Sequence, residues 1–248
     1  MDRNPLTIDS TATLIASRAD SDAQRVLRNT YLLLSASLLF SAATAGASMA
    51  YGWPYPGIIV TLVMFYGLLF AIEKMRNSAW SVALVFALTG FMGLTLGPII
   101  SMYIRALPHG SSIVMTSLGV TGGTFLTLSA YAVFSKKRFE FMASFLFVGS
   151  MIAFLLGLVS IFFHMEALSL AVSGMFALIS SGMILWQTGE IVNGGERNYV
   201  LATVSLYISI YNLFLSLLRI LGAGDKHGWH ASPARVTPSV APSPDNSV

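Results

Sequence analysis

The chain has no cysteine among its 248 residues. Disulfides, thiol nucleophiles, iron–sulfur clusters and thiolate zinc sites are therefore excluded. Charge is also scarce: Asp, Glu, Lys and Arg make up 10% of the chain, against 55% hydrophobic residues. Soluble domains carry roughly a quarter charged residues, and a soluble protein this apolar would lack the polar surface to stay dissolved. None of the charge falls between Arg28 and Glu73. Further uncharged runs separate Arg76 from Arg105, Arg105 from Lys136, Glu140 from Glu166, Glu166 from Glu190, and Arg197 from Arg219. About 20 apolar residues at 1.5 Å rise cross the ~30 Å hydrocarbon core of a bilayer. The first run is long enough for two crossings and is broken at Tyr51-Gly-Trp-Pro-Tyr-Pro-Gly57, a turn no helix tolerates.

These runs predict an all-α integral membrane protein, a bundle of seven transmembrane helices near 30–50, 56–73, 79–102, 111–134, 141–163, 167–187 and 201–221. Sorting the basic residues by loop puts ten on the side of the N-terminus and one, Arg105, on the other. Lys and Arg favour the cytoplasmic side, so the N-terminus is expected in the cytoplasm and the C-terminus outside. The segment Ala42–Ala50 is rich in small residues, as a signal-peptide cleavage site would be. The preceding segment, however, is long and carries Asp2, Asp9, Asp20 and Asp22. An uncleaved first helix is expected.

Three parts follow from composition: a disordered cytoplasmic tail at 1–28, with a helical turn from Asp22 running into the first helix; a membrane domain at 29–222; and a disordered tail at 223–248 with Pro233, Pro238, Pro242 and Pro244. Fourteen basic residues against eleven acidic ones are too small an excess to point to nucleic acid. His109, His164, His227 and His230 share no helix face, so neither a metal site nor a cofactor is expected. Catalytic sets are missing too. No His lies mid-helix to activate a serine, every Asp sits in a tail, and no Gly-rich phosphate loop follows a strand. An enzyme is not expected.

What remains is a set of polar and small residues inside the bundle. Helix 7 carries Ser205, Ser209, Asn212, Ser216 and Arg219 at spacings of 4, 3, 4 and 3, which places them on one face. Polar groups in hydrocarbon need partners, so this face is expected to point inward. Ser173, Ser180 and Gln187 share a face of helix 6, and the two stripes are expected to meet. They read either as packing glue, at about 0.6 to 2 kcal/mol per contact, or as a hydrated pathway. Glu190 and Arg219 near helix ends read as interfacial anchors. Gly93 and Gly97 have the small-xxx-small spacing of close helix packing, and Gly123 reads the same way. Pro98 is expected to kink or end helix 3.

Ile179-Ser-Ser-Gly-Met-Ile-Leu, Gly194-Gly-Glu-Arg-Asn-Tyr199, Ala202-Thr-Val-Ser-Leu-Tyr207 and Asn212-Leu-Phe closely resemble the Bax-inhibitor family of small membrane proteins. Val26-Leu-Arg-Asn-Thr-Tyr31 and Phe91-Met-Gly-Leu-Thr-Leu-Gly-Pro98 resemble its bacterial branch. The resemblance runs from about Arg25 to Gly222. It implies a seven-helix fold, an inner-membrane location and, for the bacterial branch, the membrane-anchored ATP-dependent protease FtsH as partner. Some family members are calcium leaks gated by two aspartates sharing a proton. Here those positions correspond to Gln187 and Ser209, neither of which titrates.

Overall fold

The computed structural model describes residues 5–135, 140–163 and 165–230. Seven helices make up the fold: α1 (Pro5–Tyr51), α2 (Ile58–Lys74), α3 (Trp80–Ala106), α4 (Gly110–Ser135), α5 (Glu140–Phe163), α6 (Glu166–Val192) and α7 (Tyr199–His230). Six are long and apolar enough to cross a membrane; α2, with 17 residues, falls just short. The basic loop at Lys136, Lys137 and Arg138 lies outside the described residues.

The two tails depart from expectation. Helix α1 starts at Pro5, not near residue 30. Pro fits the first helical turn, and neither Pro nor Gly recurs until Gly46, so nothing in between breaks the helix. At the other end α7 continues to His230 rather than stopping near residue 221. Gly222 and Gly224 weaken a helix without breaking it, and the first proline after them is Pro233. Residues 231–248 of the expected C-terminal tail lie outside the described residues.

Between α1 and α2 the chain reverses through Gly52 and Gly57, at φ 63° and 89°. Helix α6 ends where Gly194, at φ 74°, lets Gly195 N–H reach back to the Glu190 carbonyl at 2.8 Å. Asn198 then starts α7: its Oδ1 accepts from the N–H groups of Val200 (3.0 Å) and Leu201 (3.3 Å).

Helix α7 is the bundle's axis, packed against α6, α1, α4 and α3. Its Leu206, Tyr207 and Leu213 are almost wholly buried and join Leu34, Leu88 and Ile184 in the core, while Leu218 packs in a second cluster with Ile100 and Ile113. The outside is the reverse of a soluble protein. Helix α5 packs on α6 and leaves Phe141, Phe145, Phe147, Phe154 and Phe162 exposed. Helix α2 likewise exposes Ile59, Val63, Tyr66 and Phe70. So broad an apolar surface suits contact with lipid.

The most extensive helix pair is α1 with α3, and small residues make it so. A Cβ on Gly93 would run into Thr44 Oγ1 and the backbone oxygen of Ser41. One on Gly97 would lie 2.6 Å from Ser48 Cβ and 2.8 Å from the Ala45 oxygen. The small residues of 41–48 therefore form the seat for the α3 glycines. Gly123 differs: a Cβ there meets nothing within 4 Å. The close-packing expectation does not hold at that position, because Gly123 faces away from the neighbouring helices.

Pro98 does not end α3, which runs eight residues beyond it to Ala106. Proline's missing N–H frees the carbonyl of residue 94. Ser48 Oγ donates to that Leu94 oxygen at 3.0 Å, and Gly97 leaves room for the approach. Ser48→Ala should cost about 1 kcal/mol in this background. With Pro98→Ala also present, the helix restores its own bond and the loss should fall near zero. Thermal unfolding of the four variants in detergent measures that coupling.

Candidate functional site

The polar interior of the bundle lies mainly at the α1–α3–α7 junction. Ser41 Oγ and the Tyr207 hydroxyl are 2.7 Å apart, and Tyr207 also donates to the Thr89 backbone oxygen at 3.3 Å. Thr203 Oγ1 has its single proton within reach of two carbonyl oxygens, that of Tyr199 at 2.7 Å and, across the helices, that of Thr30 at 3.3 Å. Thr95 Oγ1 and the Tyr211 hydroxyl are 3.4 Å apart. Towards α6, the Tyr31 hydroxyl lies 3.5 Å from Thr188 Oγ1. With Ser48 on Leu94, these contacts form a ladder of cross-helix bonds along the C-terminal part of α1, from Thr30 to Ser48. Tyr207 is its centre, a large side chain 1% exposed. Tyr207→Phe should lower stability by about 1 kcal/mol, since it strands Ser41 in a dry core; unfolding in mixed detergent reads it.

The stripes expected on α6 and α7 behave otherwise. Ser209 and Ser216 are buried, Ser205 is half-buried, and Asn212 and Arg219 are exposed. The stripe does not point inward as a unit, because Leu206, Tyr207, Ile210, Leu213 and Phe214 occupy the interior side of α7. The serines bond to their own helices: Ser209 Oγ donates to the Ser205 oxygen at 2.9 Å and Ser173 Oγ to the Ser169 oxygen at 2.9 Å. Back-bonding of this kind satisfies a hydroxyl without a neighbouring helix. Among the described residues no hydrogen bond joins Gln187 to Ser209 or Asn212.

Gln187 is buried, and its Oε1 has no hydrogen-bonding partner among the described residues. The same holds for Thr30 Oγ1, Ser37 Oγ and Ser129 Oγ. Glu190 and Arg219 lie at opposite ends of the bundle. Glu190 is half-buried beside the Gly194–Gly195 turn, while Arg219 lines a cavity of about 340 Å³ with Tyr103, Glu166 and Ser169. Beyond that cavity His109 Nδ1 and Asp225 Oδ1 are 3.2 Å apart. No group of three or more His, Asp or Glu side chains is placed to hold a metal among the described residues.

The residues missed in the sequence are the α1 partners. Thr30, Ser37, Ser41, Thr44 and Ser48 recur at spacings of 7, 4, 3 and 4, the same seam pattern recognised on helix 7. The signal is present in the sequence, but these are small hydroxyl residues among alanines, a composition that a polar stripe shares with ordinary helix packing.

A larger cleft of about 740 Å³ opens between α2 and α7, lined by Tyr66, Leu69, Phe70, Glu73, Glu196 and Ser205 among others. Glu73 Oε1 accepts from Arg76 at 3.0 Å, and Glu196 Oε1 accepts from Asn198 N–H at 2.7 Å. Asn198 Nδ2 donates to the Arg76 oxygen at 3.1 Å, tying the α2–α3 loop to the α6–α7 loop at this end.

The profile of the family described as "Inhibitor of apoptosis-promoting Bax1" matches residues 23–226. A protein of Pseudomonas aeruginosa is 50% identical over 197 residues, covering 79% of this chain and 88% of the relative. An Escherichia coli K12 protein described as "Modulator of FtsH protease YccA" is 46% identical over 198 residues, covering 80% and 90%. A Vibrio cholerae membrane protein is 44% identical over 202 residues, covering 81% and 90%. The matched span holds all seven helices from Ala23 onward and every residue of the buried ladder. The chain is a multi-pass inner-membrane protein and belongs to the Bax-inhibitor family.

Proposed function

We propose that this protein binds FtsH and restrains its proteolysis of other membrane proteins, without chemistry of its own. The observation that carries the reading is the 46% identity, over 90% of its length, to a relative described as a modulator of that protease. Physical features support it. In our reading all seven helices cross the membrane, since the 17 residues of α2 rise about 25 Å. The ten-to-one bias of basic residues puts the N-terminus in the cytoplasm. The 47 residues of α1 rise about 70 Å, twice what a bilayer needs. Its uncharged stretch begins only after Arg28, so the polar first turns of α1, up to about residue 20, serve a cytoplasmic machine as a handle. A lone helix of that length is marginal in water and cheap to unwind. Behind it, the α1–α3 seam and the Ser41–Tyr207–Thr89 bonds resist extraction. A substrate that is gripped and slow to yield occupies the protease. Crosslinking in native membranes followed by purification tests the partnership: FtsH should be recovered with this chain, and its absence would dismiss the reading.

A cation leak is the second reading, favoured by buried oxygens without a partner among the described residues: those of Thr30, Ser37, Ser129 and Gln187 within the bundle, and Asp225 Oδ2 at its end. A proton-gated leak needs coupled carboxylates, whose mutual repulsion raises one pKa. Gln187 and Ser209 supply none. Reconstituted protein is expected to pass no calcium above the level of empty liposomes. Flux that disappears on Gln187→Leu would reverse that assignment.

A further inference from the structure

We propose that the cleft between α2 and α7 is a binding site for a zwitterionic phospholipid with a primary-amine headgroup. Helix α2 packs on α3 and leaves its side towards α7 open. The walls are the half-exposed and exposed apolar side chains of Tyr66, Leu69, Phe70 and Ile208, on a floor of Ile72 and Val204. Two carboxylates, Glu73 and Glu196, stand at the end of the cleft where α2 stops and α7 begins. Each uses one oxygen in the bonds described above, to Arg76 and to the Asn198 N–H. Lys74, Arg76 and Arg197 are exposed on the adjoining turns.

That charge pattern selects the occupant. Acids inside the cleft with bases around it match a headgroup carrying both an ammonium and a phosphate: the ammonium donates to Glu73 and Glu196, and the phosphate meets Arg76 or a neighbouring base. An anionic lipid lacking the ammonium would offer nothing to the second oxygen of either carboxylate and would bring its negative charge beside them. A trimethylated head keeps the charge but has no N–H to donate. Size also favours lipid over a partner's helix. About 740 Å³ lies within the range of small-ligand sites. A helix 10 Å across would fill that volume with about 9 Å of its length, under two turns. The apolar walls take the upper acyl chain, and the exposed surroundings of α2 give it a lateral entrance from the bilayer.

Full-length protein in nanodiscs of phosphatidylethanolamine, phosphatidylcholine and phosphatidylglycerol, read by native mass spectrometry, tests the site. The unaltered chain should retain the ethanolamine lipid at least about fivefold over either competitor. Glu73→Gln with Glu196→Gln, which keeps every neutral hydrogen bond, should bring that ratio near one. Ser205→Trp, filling the cleft, should reduce retention of all three. Equal retention by the unaltered chain, preference for the glycerol lipid, or a ratio unmoved by the double glutamine variant would each overturn the proposal. So would a Ser205→Trp variant that stays folded and holds its lipid while losing a co-purified protein, since the cleft would then seat that protein.

Discussion

Gly93→Leu is expected to abolish the folded bundle, whereas Gly123→Leu leaves it intact. At Gly93 the added carbon meets Thr44 Oγ1 and, more seriously, the backbone oxygen of Ser41. A side-chain rotamer can turn away, but a helix backbone cannot yield without moving α1 off α3. That is the largest interface in the fold, and it carries the Ser41–Tyr207 bond at 2.7 Å. Overpacking a close-packed core costs about 1–3 kcal/mol, and more when backbone must shift; here the shift would also break the cross-helix bonds of Ser41 and Ser48. At Gly123 nothing lies within 4 Å, and leucine is a better helix former than glycine. The change there should stay within about 0.5 kcal/mol. Yield and thermal midpoint of the two variants in one detergent check the contrast. Equal behaviour would remove the α1–α3 seam from its structural role.

The same two glycines show what could be read without coordinates. Helix placement was legible because a bilayer imposes one period and one length on every span. Uncharged runs therefore marked α2 to α6 within a few residues. Gly93 and Gly97 were legible as small residues four apart. Gly123 looked identical in sequence, because spacing gives a face but not what that face meets. The helix 7 stripe failed for a related reason. Hydroxyls can satisfy themselves on the carbonyl four residues back, as Ser209 does on Ser205, so a polar stripe need not point inward. That Pro98 should kink or end α3 follows from its lost hydrogen bond, which is local and visible in sequence. Its replacement, Ser48 on Leu94, comes from 46 residues away and is not. Helices α1 and α7 extend beyond the uncharged spans, because polar residues without a breaker among them continue a helix as well as apolar ones do.

Deleting residues 1–20 is expected to abolish engagement by FtsH while leaving the bundle inserted. The uncharged stretch of α1 begins after Arg28, and the ladder begins at Thr30, so the deletion touches neither the span nor its buried bonds. A pulling machine must start on a segment it can unwind, and the described loops 75–79 and 193–198, which we place on the same side as the N-terminus, are short and tied together. Asn198, for example, ties the α6–α7 loop to Arg76 at 3.1 Å. Recovery of FtsH with the truncated chain should fall at least about tenfold, with unchanged unfolding temperature. Undiminished recovery would move the contact to the membrane helices or the loops.

The most direct measurement is FtsH turnover of a second membrane substrate in proteoliposomes, with and without this protein at equal amounts. We expect the substrate to be degraded several-fold more slowly when the protein is present. Most of the protein itself should remain uncut over the same interval, and the Δ1–20 form should have no effect. Unchanged substrate turnover, or this chain being destroyed as fast as the substrate, contradicts a bundle that occupies the protease by resisting extraction.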